Sequence, residues 1–110
     1  MRRDDEIRLR HMLDAAREAV AFASGRSRED LSADRMFALA VVKDIEILGE
    51  AAARVSSETR SRHPQLPWQD IAGMRHRLIH AYFDINLDIV WSTLLDDLPS
   101  LISSLEEILS

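Results

Sequence analysis

Residues 33–55, ADRMFALAVVKDIEILGEAAARV, decide how the chain must fold. Phe37, Ala38, Val41, Val42, Ile45, Leu48 and Ala52 recur at steps of three and four, which draws one apolar stripe along a helix. No alternation at a period of two competes with it. The stretch predicts a long helix over 33–55 with Ser32 as its cap.

The same period extends outward in both directions. Leu9, Met12, Leu13, Ala16, Val20 and Ala23 predict a first helix from about Asp4 to Ser24, closed by Gly25. Ser27-Arg28-Glu29-Asp30 resembles a capping box for a short turn. Beyond the long helix, residues 56–67 are mostly polar, and one helical turn is expected at 57–62. Pro67 suits the start of a third helix, running through Trp68, Ile71, Met74, Leu78 and Ile79 to about Tyr82. The stripe from Leu87 through Val90, Trp91, Leu94, Leu98, Leu101 and Leu105 predicts one long helix or two abutting ones, kinked at Pro99. Short loops between long amphipathic helices imply an all-α, antiparallel helical bundle of four to five helices. At 110 residues a single domain over 1–110 is expected.

Composition narrows the function classes. The chain is 46% hydrophobic and 30% charged, without cysteine, so disulfide and thiolate chemistry are excluded. The N-terminus MRRDDEIRLR is too charged for a signal peptide, and no apolar run is long enough to span a membrane, so a cytoplasmic protein with no membrane contact is expected. The net charge of −5 argues against broad phosphate neutralisation, so any nucleic acid contact must be local. Thirteen of the fourteen basic residues are arginine, whose planar fork suits phosphate.

One stretch gathers unusual chemistry. Residues 73–83, GMRHRLIHAYF, hold Arg75, His76, Arg77 and His80, then Tyr82, the lone tyrosine. On a continuous helix Arg75 falls in the middle of the apolar stripe, with Tyr82 about 20° away and His76 and His80 stacked one turn apart on the flank. Three readings are open. Arg75 snorkels or pairs with an acid. The two histidines bind a metal, with Asp84 as a third ligand, although the spacer Arg77-Leu78-Ile79 supplies no general base. Or the group performs phosphoryl chemistry on RNA, histidine moving the proton and arginine stabilising the phosphorane-like transition state. On the long helix Glu46 and Glu50 sit one turn apart. Either they belong to a solvated face, with Arg54 compensating Glu50, or one of them orients Arg75 or an imidazole across the bundle.

Arg75-x4-His80-x-Tyr82 resembles the R-x4-H-x-Y pattern of HepT-like HEPN toxins. ILGEA at 47–51, LPWQDIAGMR at 66–75, the Trp91 helix and DLPSL at 97–101 are similar to the same family, so the resemblance covers nearly the whole chain. It implies a homodimeric toxin of a type VII toxin–antitoxin system: a metal-independent endoribonuclease, without cofactor, that cleaves RNA through attack by the 2′-OH. It also implies a partner, a MntA-type nucleotidyltransferase antitoxin that transfers AMP to the motif tyrosine. Arg75 is then the phosphate and transition-state group, His80 the proton-transfer group and Tyr82 the modified residue. The position after the motif arginine is often asparagine, and here it is His76, an auxiliary group. Trp68 and Trp91 are expected in the core or an interface, His11 and His63 on the surface. The rival class is a non-catalytic helical module that docks a nucleotidyltransferase and presents a substrate to it.

Overall fold

A computed structural model describes residues 1–81 and 84–110. Among the described residues eight α-helices follow in order: α1 (Arg3–Ala23), α2 (Arg28–Ala33), α3 (Arg35–Arg54), α4 (Ser57–Arg62), α5 (Trp68–Ala72), α6 (Met74–Leu78), α7 (Leu87–Ser92) and α8 (Leu98–Leu109). A short antiparallel pair, β1 (Ile79–Ala81) and β2 (Asp84–Ile85), separates α6 from α7. The expected all-α bundle is present, with this small hairpin added.

The core follows from the stripes. Leu9 and Met12 of α1, Val41, Ile45 and Leu48 of α3, and Leu98 and Leu105 of α8 are all fully buried. α1 lies along α3, α8 along α1, and α5 and α6 cross α3 on its other side. Gly49 permits that crossing. A β-carbon there would stand 3.1 Å from the Ile71 carbonyl oxygen and 3.5 Å from that of Ala72. A mid-helix glycine sacrifices helix propensity, and here the sacrifice lets the α5 backbone touch α3.

The boundaries differ from the pattern where local chemistry intervenes. Asp34, not Ser32, caps α3, its carboxylate accepting from the Phe37 amide at 3.1 Å. Ser27 and Asp30 form the capping box at α2. The last helical run does not break at Pro99. A π-helical turn over Thr93–Asp97 joins α7 to α8, and Pro99 lies in the first turn of α8, where a missing N–H is tolerated.

The third helix is the substantive correction. The sequence pattern carries it to Tyr82, but α6 ends at Leu78 and Ile79 is extended, with φ −121° and ψ 109°. Ile79 pairs with Ile85 and Ala81 with Asp84. The Asn86 amide donates to the Leu78 carbonyl at 2.7 Å, which closes the hairpin's base, while the Asn86 side chain caps α7 by accepting from the Ile89 amide. β-branched and aromatic residues in 79–85 favour extended backbone. Ile71, Leu78, Ile79 and Tyr82 happen to fit a helical period as well. Tyr82 and Phe83 lie outside the described residues.

One polar knot ties the first helix to the fourth. Asp5, buried in the first turn of α1, accepts from the Ser56 amide (2.9 Å), the Ser56 hydroxyl (2.6 Å) and the Thr59 hydroxyl (2.6 Å). Burial pushes its carboxyl up, but these hydrogen bonds, with Arg2 nearby, outweigh it and bring it down to about 2. A depressed carboxyl contributes stability above its unfolded value, near 3.8, and loses it as the pH falls toward the folded value. Asp5→Asn should therefore cost about 1–3 kcal/mol in urea unfolding at pH 7. That deficit should shrink as the pH drops from 4 toward about 2. A deficit independent of pH would remove Asp5 ionisation from the account.

Candidate active site

Arg75 stands on a helix of barely more than one turn. Gly73 separates α5 from α6, its amide donating to the Gln69 carbonyl at 2.9 Å, so the chain turns between the two short helices. Leu78 and Met74 anchor α6 in the core, and Arg75, His76 and Arg77 are left exposed. The expectation that Arg75 lies mid-stripe fails for the reason the helix stops early: a single turn buries only Met74 and Leu78. About half of the Arg75 side chain is open to solvent.

Its guanidinium is nonetheless fixed. Arg75 Nε donates to Glu46 Oε2 at 2.8 Å across from α6 to α3. Glu46 is much less exposed than its partner, 23% against 51%, and so acts as the fixed member of the pair. Of the open alternatives for the two glutamates, the structure selects Glu46 for Arg75. Glu50 shares a surface depression with Arg54 without an ion pair between them among the described residues. Because the bond uses Nε, the two terminal nitrogens of Arg75 enter no hydrogen bond or ion pair among the described residues. That edge is one of the two by which a guanidinium meets a phosphate in two-pronged fashion.

His80 does not share a helix with His76. It is exposed on β1, so the expected stacking at one helical turn is absent. The same break separates the proposed metal pair, and Asp84 lies across the hairpin on β2. Among the described residues no three His, Asp or Glu side chains converge as a metal site. Arg77 points away from Arg75, donating to the Asp70 carbonyl at 3.3 Å. Arg75, His76 and His80 are absent from the linings of the five best-formed depressions among the described residues, of about 180–250 Å³ each. A single chain thus presents Arg75, His76 and His80 on its exposed surface. Trp68 is buried in the core, its indole N–H donating to the His63 carbonyl at 2.9 Å. Trp91 packs half-buried against the core, and His11 is exposed as expected, whereas His63 is half-buried. No helix among the described residues is long and apolar enough to cross a membrane.

Sequence comparison assigns the chain to a family. Residues 12–108 match the profile of the HepT-like ribonucleases, and the chain belongs to that family. It is 40% identical to a Caldanaerobacter subterraneus protein named "Putative RNase TTE0752", over 92% of this chain and 90% of that one. It is 38% identical to the "Probable ribonuclease HepT" of Thermococcus cleftensis, over 73% of each chain. It is 29% identical to the "Putative RNase MJ0127" of Methanocaldococcus jannaschii, over 98% of this chain and 89% of that one. No solved structure gives a significant match.

Pattern reasoning gave Glu46 no priority over Glu50. The distinguishing signal was Gly49, the glycine inside a helix pattern, which marks where another backbone comes close. An exposed ion pair contributes about 1 kcal/mol or less to stability. Glu46→Gln should therefore leave the unfolding midpoint nearly unchanged, yet lower ribonuclease activity up to about a hundredfold by loosening the guanidinium. Loss of stability in step with activity would make the pair a structural brace instead.

Proposed function

We propose that the chain is the toxin of a type VII toxin–antitoxin pair, cutting RNA without a metal. The observation that carries the proposal is the Arg75–Glu46 geometry, in which Glu46 takes Nε and leaves the phosphate-binding edge open. Membership of a ribonuclease family supports the substrate class.

The chemistry needs few groups. The ribose 2′-OH attacks the adjacent phosphorus, its proton passing to an imidazole. The P–O5′ bond breaks, and the leaving oxygen takes up a proton, giving a 2′,3′-cyclic phosphate and a free 5′-OH. His80 is the proton-transfer group and Arg75 stabilises the charge gathering on the non-bridging oxygens. His76 is auxiliary. Two copies of the chain in a homodimer would pool two Arg75 and the paired histidines at one groove, enough local positive charge to hold a bent phosphodiester on an otherwise acidic protein.

Control would act on the same chemistry. A MntA-type nucleotidyltransferase partner transfers AMP to the Tyr82 oxygen, breaking the ATP α–β phosphoanhydride bond and releasing pyrophosphate. The added phosphodiester would compete with RNA for Arg75 and repel the incoming backbone. The net charge of −5 is the one observation on the side of a non-catalytic module that merely docks such an enzyme.

RNA cleavage in excess EDTA separates the readings. The wild type should cut and leave cyclic phosphate ends, while Arg75→Ala and His80→Ala should each lose about two orders of magnitude while remaining folded. Equal activity of wild type and His80→Ala would overturn the assignment. Co-expression with the cognate nucleotidyltransferase should add the mass of one or more AMP units to the wild type, mapping to Tyr82, and none to Tyr82→Phe. Neutralisation of an unmodified chain would assign control to simple binding.

A further inference from the structure

α1 and α3 border an acidic hollow. His11, Asp14 and Glu18 share one face of α1, at steps of three and four, with Ala15 among them. Asp44 and Ile47 meet them from α3. These six residues line a depression of about 200 Å³, and neither Glu46 nor any residue of α5 or α6 takes part.

Asp44 is the unusual member. It is only 4% exposed, and its Oδ2 is buried with no hydrogen-bond partner among the described residues. A carboxylate buried in this way is costly unless a cation meets it. The described residues supply none: Asp14, Glu18 and Asp44 enter no ion pair among them. Arg8 and Arg54 line the adjoining depression without pairing to any of the three. What the single chain has instead is a proton. Burial first, and the neighbouring Glu18 second, push the Asp44 carboxyl up to about 7.

The size and walls of the hollow narrow the ligand. A volume of about 200 Å³ is small for a whole organic ligand and suits a single side chain. The acids do not converge as a metal requires, since no three His, Asp or Glu side chains among the described residues could hold one ion. Spread acceptors suit a donor that is itself spread out, the planar guanidinium with its five N–H groups. Arginine is also more weakly hydrated than lysine, so it loses less on meeting a buried carboxylate. Ala15 and Ile47, the latter 37% exposed, offer an apolar wall for the methylene stem. Arginine is enriched where protein surfaces meet.

We propose that this hollow receives one arginine side chain of a protein partner, with Asp44 as the buried acceptor and Asp14 and Glu18 at the rim. The guanidinium takes the place of the proton on Asp44, which leaves to solvent as the arginine enters. The site stands apart from the ribonuclease reading and does not depend on it.

The test is titration of the full chain with N-acetyl-arginine methylamide, followed by heteronuclear NMR. The lysine and citrulline counterparts are compared, citrulline keeping the shape of arginine and losing its charge. The arginine probe should shift the amide signals of Asp14, Glu18, Asp44 and Ile47 and approach saturation at roughly millimolar concentration, as one side chain allows. Lysine should bind more weakly, and citrulline should leave these signals in place. Arginine affinity should rise about tenfold from pH 6 to pH 8, because the competing proton leaves Asp44 near 7. Repeating the series on His11→Gln takes the imidazole out of the comparison, so a rise that persists belongs to the carboxyls. Asp44→Asn should weaken the arginine probe at least about tenfold at pH 8. Glu18→Lys, on the exposed rim, should do the same by placing a cation at the hollow, and it keeps the test open should circular dichroism show that Asp44→Asn loses its helices. Signals that stay still with arginine, or move equally with citrulline, would overturn the proposal. So would folded variants that bind as tightly as the wild type. Lysine binding as well as arginine would overturn the assignment to a guanidinium, and an affinity independent of pH would overturn the role of Asp44.

Discussion

The contact between Gly49 and the α5 backbone sets the rest of the structure. With no β-carbon in the way, the Ile71 and Ala72 carbonyls come down onto α3. That approach fixes the height of α5 and, through the turn at Gly73, the position of α6. Arg75 then reaches Glu46 across a gap that one more methyl group would widen. Backbone contact, ion pair and open phosphate edge form a single chain of dependence, and each link is short. A longer α6 would have buried Arg75, and a bulkier residue at 49 would have pushed it out of reach.

Electrostatics explain how an acidic protein can hold a local cationic site. Six arginines besides Arg75 are held in ion pairs by neighbours among the described residues. Arg26 bonds Asp30 and Asp34 and stacks 4.2 Å from the Phe37 ring centre, Arg17 meets Glu106, and Arg28 meets Asp88. These pairs neutralise the surface without gathering charge at one place. Arg75 is held through its inner nitrogen by the less exposed Glu46, and its two terminal nitrogens have no partner among the described residues. The exposed cations at 75–77 sit on one turn with the His80 strand directly behind them in the chain. A surface of that kind attracts a phosphodiester locally, while the acidic remainder discourages indiscriminate binding along a nucleic acid.

How much of this was legible in the sequence varies element by element. The stripes of α1, α3 and α8 were unambiguous, because long amphipathic helices repeat their signal many times. The end of α6 was not. Ile79 fits the helical stripe and also prefers an extended backbone, and only Asn86, which caps α7 while its amide closes on Leu78, decides between them. That is a tertiary fact written in one residue seven positions downstream of Ile79. The cap of α3 was misplaced by two residues because Ser32 and Asp34 are chemically equivalent candidates. Glu46 and Glu50 could not be separated by periodicity, since both fall on the same outward face. The geometry of Gly49 separates them by fixing which turn of α3 the Arg75 helix meets. The motif Arg75-x4-His80 was plain in the sequence, but its shape, with one residue on a helix and the other on a strand, was not.

The most direct test is single-turnover RNA cleavage by Gly49→Ala, with circular dichroism confirming that the variant retains its helices. A β-carbon at 3.1 Å from the Ile71 carbonyl must displace α5 by a few tenths of an ångström, and Arg75 with it. The account predicts a folded protein whose cleavage rate falls by at least about tenfold, as misplacement of a charge-stabilising group demands. A folded Gly49→Ala variant that cuts RNA at the wild-type rate would contradict it.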